Sequence, residues 1–167
     1  MVQGPSPLVS NYVSLSDQLQ PNGFDLTLGG IAEFTTSGRI GVSNEQRVIA
    51  EARDLNFDAE GFVRLAPGAY IARLNETVAL PGNVTALAKP RSSLLRNGVA
   101  VHNAVWDAGY VGRSQVQVAV YNAHGVVLAR DARIVQMVFL TLDAATENPY
   151  SGLFQGEGLA GAAGASA

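Results

Sequence analysis

The chain has 167 residues, 47% apolar and only 15% charged, with a net charge of −3. That describes one compact domain and excludes both a disordered chain and a general binder of nucleic acid or membrane surface, which would carry a basic excess. Cysteine is absent, which excludes disulfides, thiolate metal sites and cysteine nucleophiles.

No apolar run approaches the ~18 residues of a membrane span, and no signal-peptide pattern opens the chain. A soluble, cytoplasmic protein is the expectation. The 18 glycines and the scarcity of helix-period stretches point to strands and turns. Residues 1 to 20 are polar, with a short helical step at Ser16-Asp17-Gln18-Leu19-Gln20. Asn22-Gly23 signals a turn, after which Phe24, Leu26 and Leu28 alternate with Asp25 and Thr27 as in a half-buried strand. Asp25 then lies on the face opposite the leucines, either closing the turn or serving a site. The pattern weakens from Ile31 to Asp54. Beyond it, Ala66-Pro67-Gly68 and Leu80-Pro81-Gly82-Asn83 each precede a short strand. Short strands at regular spacing, separated by Pro-Gly turns, predict an antiparallel barrel or sandwich.

The segment Lys89-Pro90-Arg91-Ser92-Ser93-Leu94-Leu95-Arg96-Asn97-Gly98-Val99 reads as one or two helical turns, opened by a serine N-cap and closed at Asn97-Gly98. Arginines at both ends, hydroxyls between them and the free N–H groups of a helix start would suit a bound phosphate. The alternative is a capped surface helix with solvated arginines. Val99 to Trp106 continues as strand into a hairpin tip at Asp107-Ala108-Gly109-Tyr110-Val111-Gly112. Val116, Val118 and Val120 alternate with polar or small residues. Ile134 to Leu142 is apolar on both sides except at Gln136, so it needs cover on both faces, and a second subunit would supply it. After Asp143 a glycine-rich tail keeps Tyr150, Phe154 and Gln155. It is expected either to order on a ligand or to dock on the barrel, with a mobile end beyond Leu159. The division expected is a barrel over residues 1–147 and a flexible tail over 148–167.

Neither His102 nor His124 has acidic neighbours at zinc-site spacing, and no serine has a nucleophile-elbow context. What remains is the acid Asp107, the phosphate cradle, Gln136 and the aromatic tail. Together they suit hydrolysis of a phosphate ester by an activated water, with arginines, N–H groups and a ligand-borne Mg²⁺ spreading the charge. Taken singly, Asp107 is more often a turn residue than a base, and it is the constellation that carries the reading.

Five motifs sharpen this. Gln20-Pro21-Asn22-Gly23-Phe24-Asp25-Leu26, Pro90-Arg91-Ser92-Ser93-Leu94-Leu95-Arg96, Asn103 through Gly112, Arg133-Ile134-Val135-Gln136-Met137-Val138-Phe139 and Tyr150-Ser151-Gly152-Leu153-Phe154-Gln155-Gly156 occur in order. In this the chain resembles the superfamily of trimeric dUTPases and dCTP deaminases, closest to its archaeal-type, deaminase-like branch.

The resemblance implies an all-β fold: a distorted, jelly-roll-like antiparallel β-barrel (the dUTPase-like β-clip) assembled as a homotrimer, with sites between subunits and a mobile tail closing over them. It implies that Arg91, Ser92, Ser93, Arg96 and Gln136 contact a triphosphate. The hairpin with Asn103 and Tyr110, together with Gln117, would contact the rest of a pyrimidine deoxynucleotide. Asp107 would activate the attacking water, and Tyr150, Phe154 and Gln155 would close the site. Mg²⁺ would ride on the substrate phosphates, with no metal ligand from the protein.

The deaminases carry a glutamate ten residues beyond the aspartate, where this chain has Gln117. An amide cannot move the protons that deamination needs. The deaminases also tend to an arginine where Val105 stands, and no arginine follows Arg133 as in the usual dUTPase tail. The expectation is therefore dUTP diphosphatase. A dCTP deaminase, alone or bifunctional, and a non-catalytic nucleotide-binding barrel are the alternatives.

Overall fold

The computed structural model describes residues 6–159. In chain order it contains β1 (Val9–Ser10), α1 (Leu15–Gln18), β2 (Leu19–Gln20), β3 (Gly23–Phe34), β4 (Ala52–Asp54), β5 (Phe62–Leu65), β6 (Gly68–Leu74), β7 (Thr77–Ala79) and β8 (Val84–Pro90). It continues with α2 (Ser92–Arg96), β9 (Val99–His102), β10 (Val111–Gly112), β11 (Gln115–Val120), β12 (Val126–Ala129) and β13 (Arg133–Thr141). The expected all-β class holds.

The main sheet runs β8-β13-β3-β6-β11-β9, all antiparallel, with β2 and β4 also pairing to β3. It curls until its two ends meet. After β9 the chain turns back on β8, where Ala86 and Trp106 exchange backbone bonds of 3.0 and 3.1 Å. The Asn103 side chain adds a bond to the Ala88 carbonyl at 3.3 Å. The barrel thus covers most of its own edges, which open sheets leave exposed. A small sheet, β1-β7-β10, and the β5-β12 pair complete the body.

β3 shows why the alternation read from sequence was incomplete. Phe24, Leu26 and Leu28 enter the main core with Val116 and Val118 of β11 and Met137 of β13. Yet Asp25 and Thr27, on the opposite face, are buried as well. The strand is central and covered on both sides, not half-buried. It also runs further than expected, through a register shift at Leu28/Gly30 to Phe34, which pairs with Ala52. The weakly patterned residues 35–51 form an arm that leaves the barrel between these two strands and is mostly solvent-exposed. β13 is divided. Ile134, Val135 and Met137 are buried, whereas Val138 and Leu140, with Leu142 just past the strand's end, are open to solvent within one chain, beside the likewise exposed Leu87 of β8.

Candidate active site

α2 begins one residue earlier in role than the sequence suggests. Pro90 is the last residue of β8, so Arg91, still extended at φ −65° and ψ 145°, is the N-cap. It makes no side-chain capping bond, and its N–H is given to the Ile134 carbonyl at 3.0 Å. The expected serine cap is therefore not formed. Ser92 and Ser93 lie in the first turn, both exposed, with hydroxyls that are not spent on the helix end. Leu94 anchors the turn in the core. Asn97 and Gly98 close it as expected, with Gly98 in the left-handed region at φ +70°. Arg96 folds back to the Ser92 carbonyl at 3.2 Å.

Behind this turn sits Asp25, its side chain 3% exposed, with Arg91 Nη1 2.7 Å and Arg133 Nη1 3.6 Å from Oδ2. Oδ2 has no aligned hydrogen bond, so the contact is chiefly electrostatic. Burial raises the Asp25 carboxyl above its usual range, against the pull of Arg91 and then Arg133. Gln136 lies in register with Asp25 on one side and Lys89 on the other. The first, second and fourth motifs thus converge on one place. Two arginines sharing one acid leave a net positive centre beside a cavity of about 380 Å³, lined by Ser93, Asn97, Arg64 and Arg133 among others.

A buried polar network holds the strand that carries Asp25. Glu76 is fully buried at the β6–β7 turn and accepts from Thr27 N at 2.9 Å, Thr27 Oγ1 at 2.6 Å and Gln18 Nε2 at 2.6 Å. Gln18 Nε2 also bonds the Asp25 carbonyl at 2.8 Å, while Gln18 Oε1 accepts from Val13 and Ser14. Burial raises the Glu76 carboxyl, with Thr27 and Gln18 opposing.

Asp107 stands elsewhere on the molecule. It is exposed at the hairpin tip, where its carbonyl accepts from Tyr110 N at 3.1 Å. Its carboxylate has no protein partner among the described residues. The adjoining cavity, also about 380 Å³, is lined by Val105, Trp106, Asp107, Tyr110, Tyr150 and Phe154, with Glu157 at its edge. Two tail residues of the fifth motif therefore reach the hairpin of the third. Gln155 secures them, accepting from Val111 N at 3.0 Å and donating to the Gly109 carbonyl at 3.0 Å. Tyr150 N bonds Ala108 O at 2.8 Å, and the Tyr110 and Tyr150 rings meet edge-on at 5.7 Å. The residues beyond 159, where the sequence suggests a mobile end, lie outside the described ones. Asn103 is half-buried against β8. Gln117 is exposed on β11, opposite His102.

Within one chain, then, Arg91, Ser92, Ser93, Arg96 and Gln136 form one group. Asp107, Tyr110, Tyr150, Phe154 and Gln155 form another; Ser93 of the first group lines one cavity, and Asp107, Tyr110, Tyr150 and Phe154 of the second line a different one. Sequence reasoning gave no role to Arg133, Gln18, Glu76 or Glu157. An acid set among apolar residues on a strand was the available sign for Asp25. The other four are isolated polar residues whose importance lies in contacts 47 to 116 positions away in the chain.

The family model described as dCTP deaminase-like matches residues 8–142. A protein of Methanosarcina barkeri named "Probable deoxyuridine 5'-triphosphate nucleotidohydrolase" is 41% identical over 157 residues, covering 94% of this chain and 92% of that one. A protein of the same name from Archaeoglobus fulgidus is 43% identical, over 91% and 89% of the two chains. Among solved structures, the 2'-deoxycytidine 5'-triphosphate deaminase of Agrobacterium tumefaciens aligns with a TM-score of 0.61 and 28% identity over 79% of this chain. This chain spans 43% of that deaminase's length. With its barrel, its five ordered motifs and these relatives in agreement, the chain belongs to the dCTP deaminase-like family.

Proposed function

We propose that the protein is a dUTP diphosphatase, converting dUTP to dUMP and pyrophosphate. What carries the reading is the pair of groups at positions 107 and 117. A free, exposed carboxylate stands where a water must be activated, and an amide stands where a deaminase places its proton-shuttling acid. The relatives named as deoxyuridine triphosphate nucleotidohydrolases support it.

In this mechanism Arg91, Arg96, Ser92, Ser93 and Gln136 hold the triphosphate. Asp25 fixes the Arg91 guanidinium and thereby lowers the cost of ordering it around the substrate. Asp107 accepts a proton from the water that attacks the α-phosphate, and pyrophosphate leaves. The hairpin around Asn103 and Tyr110, with Gln117, contacts the pyrimidine deoxynucleoside, while Tyr150, Phe154 and Gln155 close over it. The donor set fits Mg²⁺ carried on the phosphates, since hard phosphate oxygens suit that ion and arginines and serines do not compete for it. Bound there, Mg²⁺ would neutralise phosphate charge.

Ser93 of the cradle and Asp107 line different cavities of one chain, and the outer half of β13 is apolar and uncovered. Both features support a homotrimer in which one subunit's cradle faces another's hairpin. A substrate that is a free deoxynucleotide supports a cytoplasmic setting. The test is incubation with Mg²⁺ and either dUTP or dCTP, with products resolved by ion exchange. Formation of dUMP and pyrophosphate is expected; ammonia from dCTP would establish deamination instead, and no product from either would leave a binding barrel. Asp107→Asn should lower kcat by about 10²–10⁴-fold and leave affinity for a non-hydrolysable dUTP analogue near wild type. Loss of that affinity together with the fold would make Asp107 structural.

A further inference from the structure

A directed chain of hydrogen bonds runs under the hairpin that presents Asp107. Trp106 Nε1 donates to Ser114 Oγ at 2.6 Å. Ser114 Oγ lies 3.0 Å from Tyr110 Oη, which donates to Glu157 Oε1 at 2.9 Å. A tyrosine has one hydroxyl hydrogen, and here it goes to the carboxylate, so Ser114 must donate to the Tyr110 oxygen. Every donor then points the same way, from Trp106 to the tail, and Glu157 is the terminal acceptor. Trp106, Tyr110 and Ser114 are all buried, and Tyr110 and Ser114 carry one hydroxyl hydrogen each for the single bond between them, so losing the acceptor leaves one of the two hydrogens without its partner, which is costly. The backbone repeats the connection: Arg113 N bonds Glu157 O at 2.8 Å and Gly156 N bonds Val111 O at 2.7 Å.

We propose that Glu157 is a positioning residue for the candidate site: through Tyr110 and Ser114 it couples the docked tail to Trp106, the residue before Asp107, and so sets the pose of that carboxylate. The coupling stands on the geometry alone; its catalytic consequence rests on the hydrolase reading. Tyr110 therefore meets the cavity through its ring, while its hydroxyl is committed to the relay.

Trp106 is the chain's single tryptophan, which provides a readout independent of turnover. In the full-length protein, Glu157→Ala should red-shift Trp106 emission and increase its quenching by acrylamide. Glu157→Gln, which keeps an acceptor oxygen, should restore most of the wild-type spectrum. Tyr110→Phe should reproduce the effect of Glu157→Ala, and the double variant should add little to either. With dUTP, Glu157→Ala should reduce kcat about ten-fold with a smaller change in KM, and Glu157→Gln should recover most of it. Unchanged emission in Glu157→Ala, additive effects of the two substitutions, or altered emission with unchanged kcat would each overturn the proposal. A wild-type protein without dUTP turnover would sink the hydrolase reading alone, because the coupling is read from Trp106.

Discussion

Glu76 presents an unusual balance at a single residue. Three donors converge on a carboxylate that no cation accompanies among the described residues, inside a fully buried turn. Hydrogen bonds favour the charged form and burial opposes it, and burial prevails, so the carboxyl ionises less readily in the native protein than in the unfolded chain. The sign of the pH dependence follows. A carboxyl whose native value is raised stabilises most below its unfolded value of about 4.3, and that contribution is lost as pH rises through the native value. Asp25 and Glu157 are raised by burial as well and act in the same direction. Urea midpoints measured between pH 4 and 8 should therefore fall with pH, and Glu76→Gln should flatten the slope. Glu76→Ala removes an acceptor from Thr27 N and Thr27 Oγ1, and should cost about 2–4 kcal/mol of stability at neutral pH. Gln18 cannot compensate for the loss at Thr27 N. Its carbonyl is fixed by Val13 and Ser14, so its amide cannot flip to serve Thr27.

Among elements, the hairpin tip and the tail depend on one glycine. Gly109 has φ +91°, and a Cβ there would sit 2.6 Å from Pro149 Cβ and 3.0 Å from Tyr150 N. The left-handed backbone alone disfavours alanine by about 1 kcal/mol. The clash adds to this and falls on Pro149 and Tyr150, where the tail meets the hairpin. Gly109→Ala should therefore release residues 149–159 while leaving the barrel folded. Limited proteolysis should cut the variant within this segment at a protease dose that spares the wild type. α2 behaves differently, because its five residues are too few to persist without tertiary support. It is held by buried Leu94 and by the Arg91–Ile134 backbone bond.

For the whole molecule, the exposed apolar residues on the outer half of β13 are the feature a lone chain does not explain. Leu140 is 44% exposed and pairs with Thr85 of β8, near Val138, Leu142 and Leu87. A surface of this kind marks an interaction site. Leu140→Glu should leave the isolated barrel folded, since the side chain already meets solvent there, and should shift the assembly toward monomer in equilibrium sedimentation. Under the proposed trimer turnover should fall with it, because that arrangement sets the cradle around α2 against the Asp107 carboxylate of a neighbouring subunit. An unchanged assembly would move the interface elsewhere.

The local grammar of this protein was legible in its residues. Alternation marked β3 and β11, Pro-Gly turns separated the strands, Asn97-Gly98 closed α2, and five motifs in order pointed to the family. These signals depend on neighbours a few positions apart, so periodicity and turn chemistry suffice to read them. Folding alone decided that Asp25 is buried beneath Arg91 and Arg133, that Arg91 takes the cap expected of a serine, and that Glu76 and Glu157 anchor β3 and the tail. Each of these contacts joins strands, turns and tail that lie far apart in the chain. Such pairings are set by how the barrel closes, for which no short-range pattern encodes the partner.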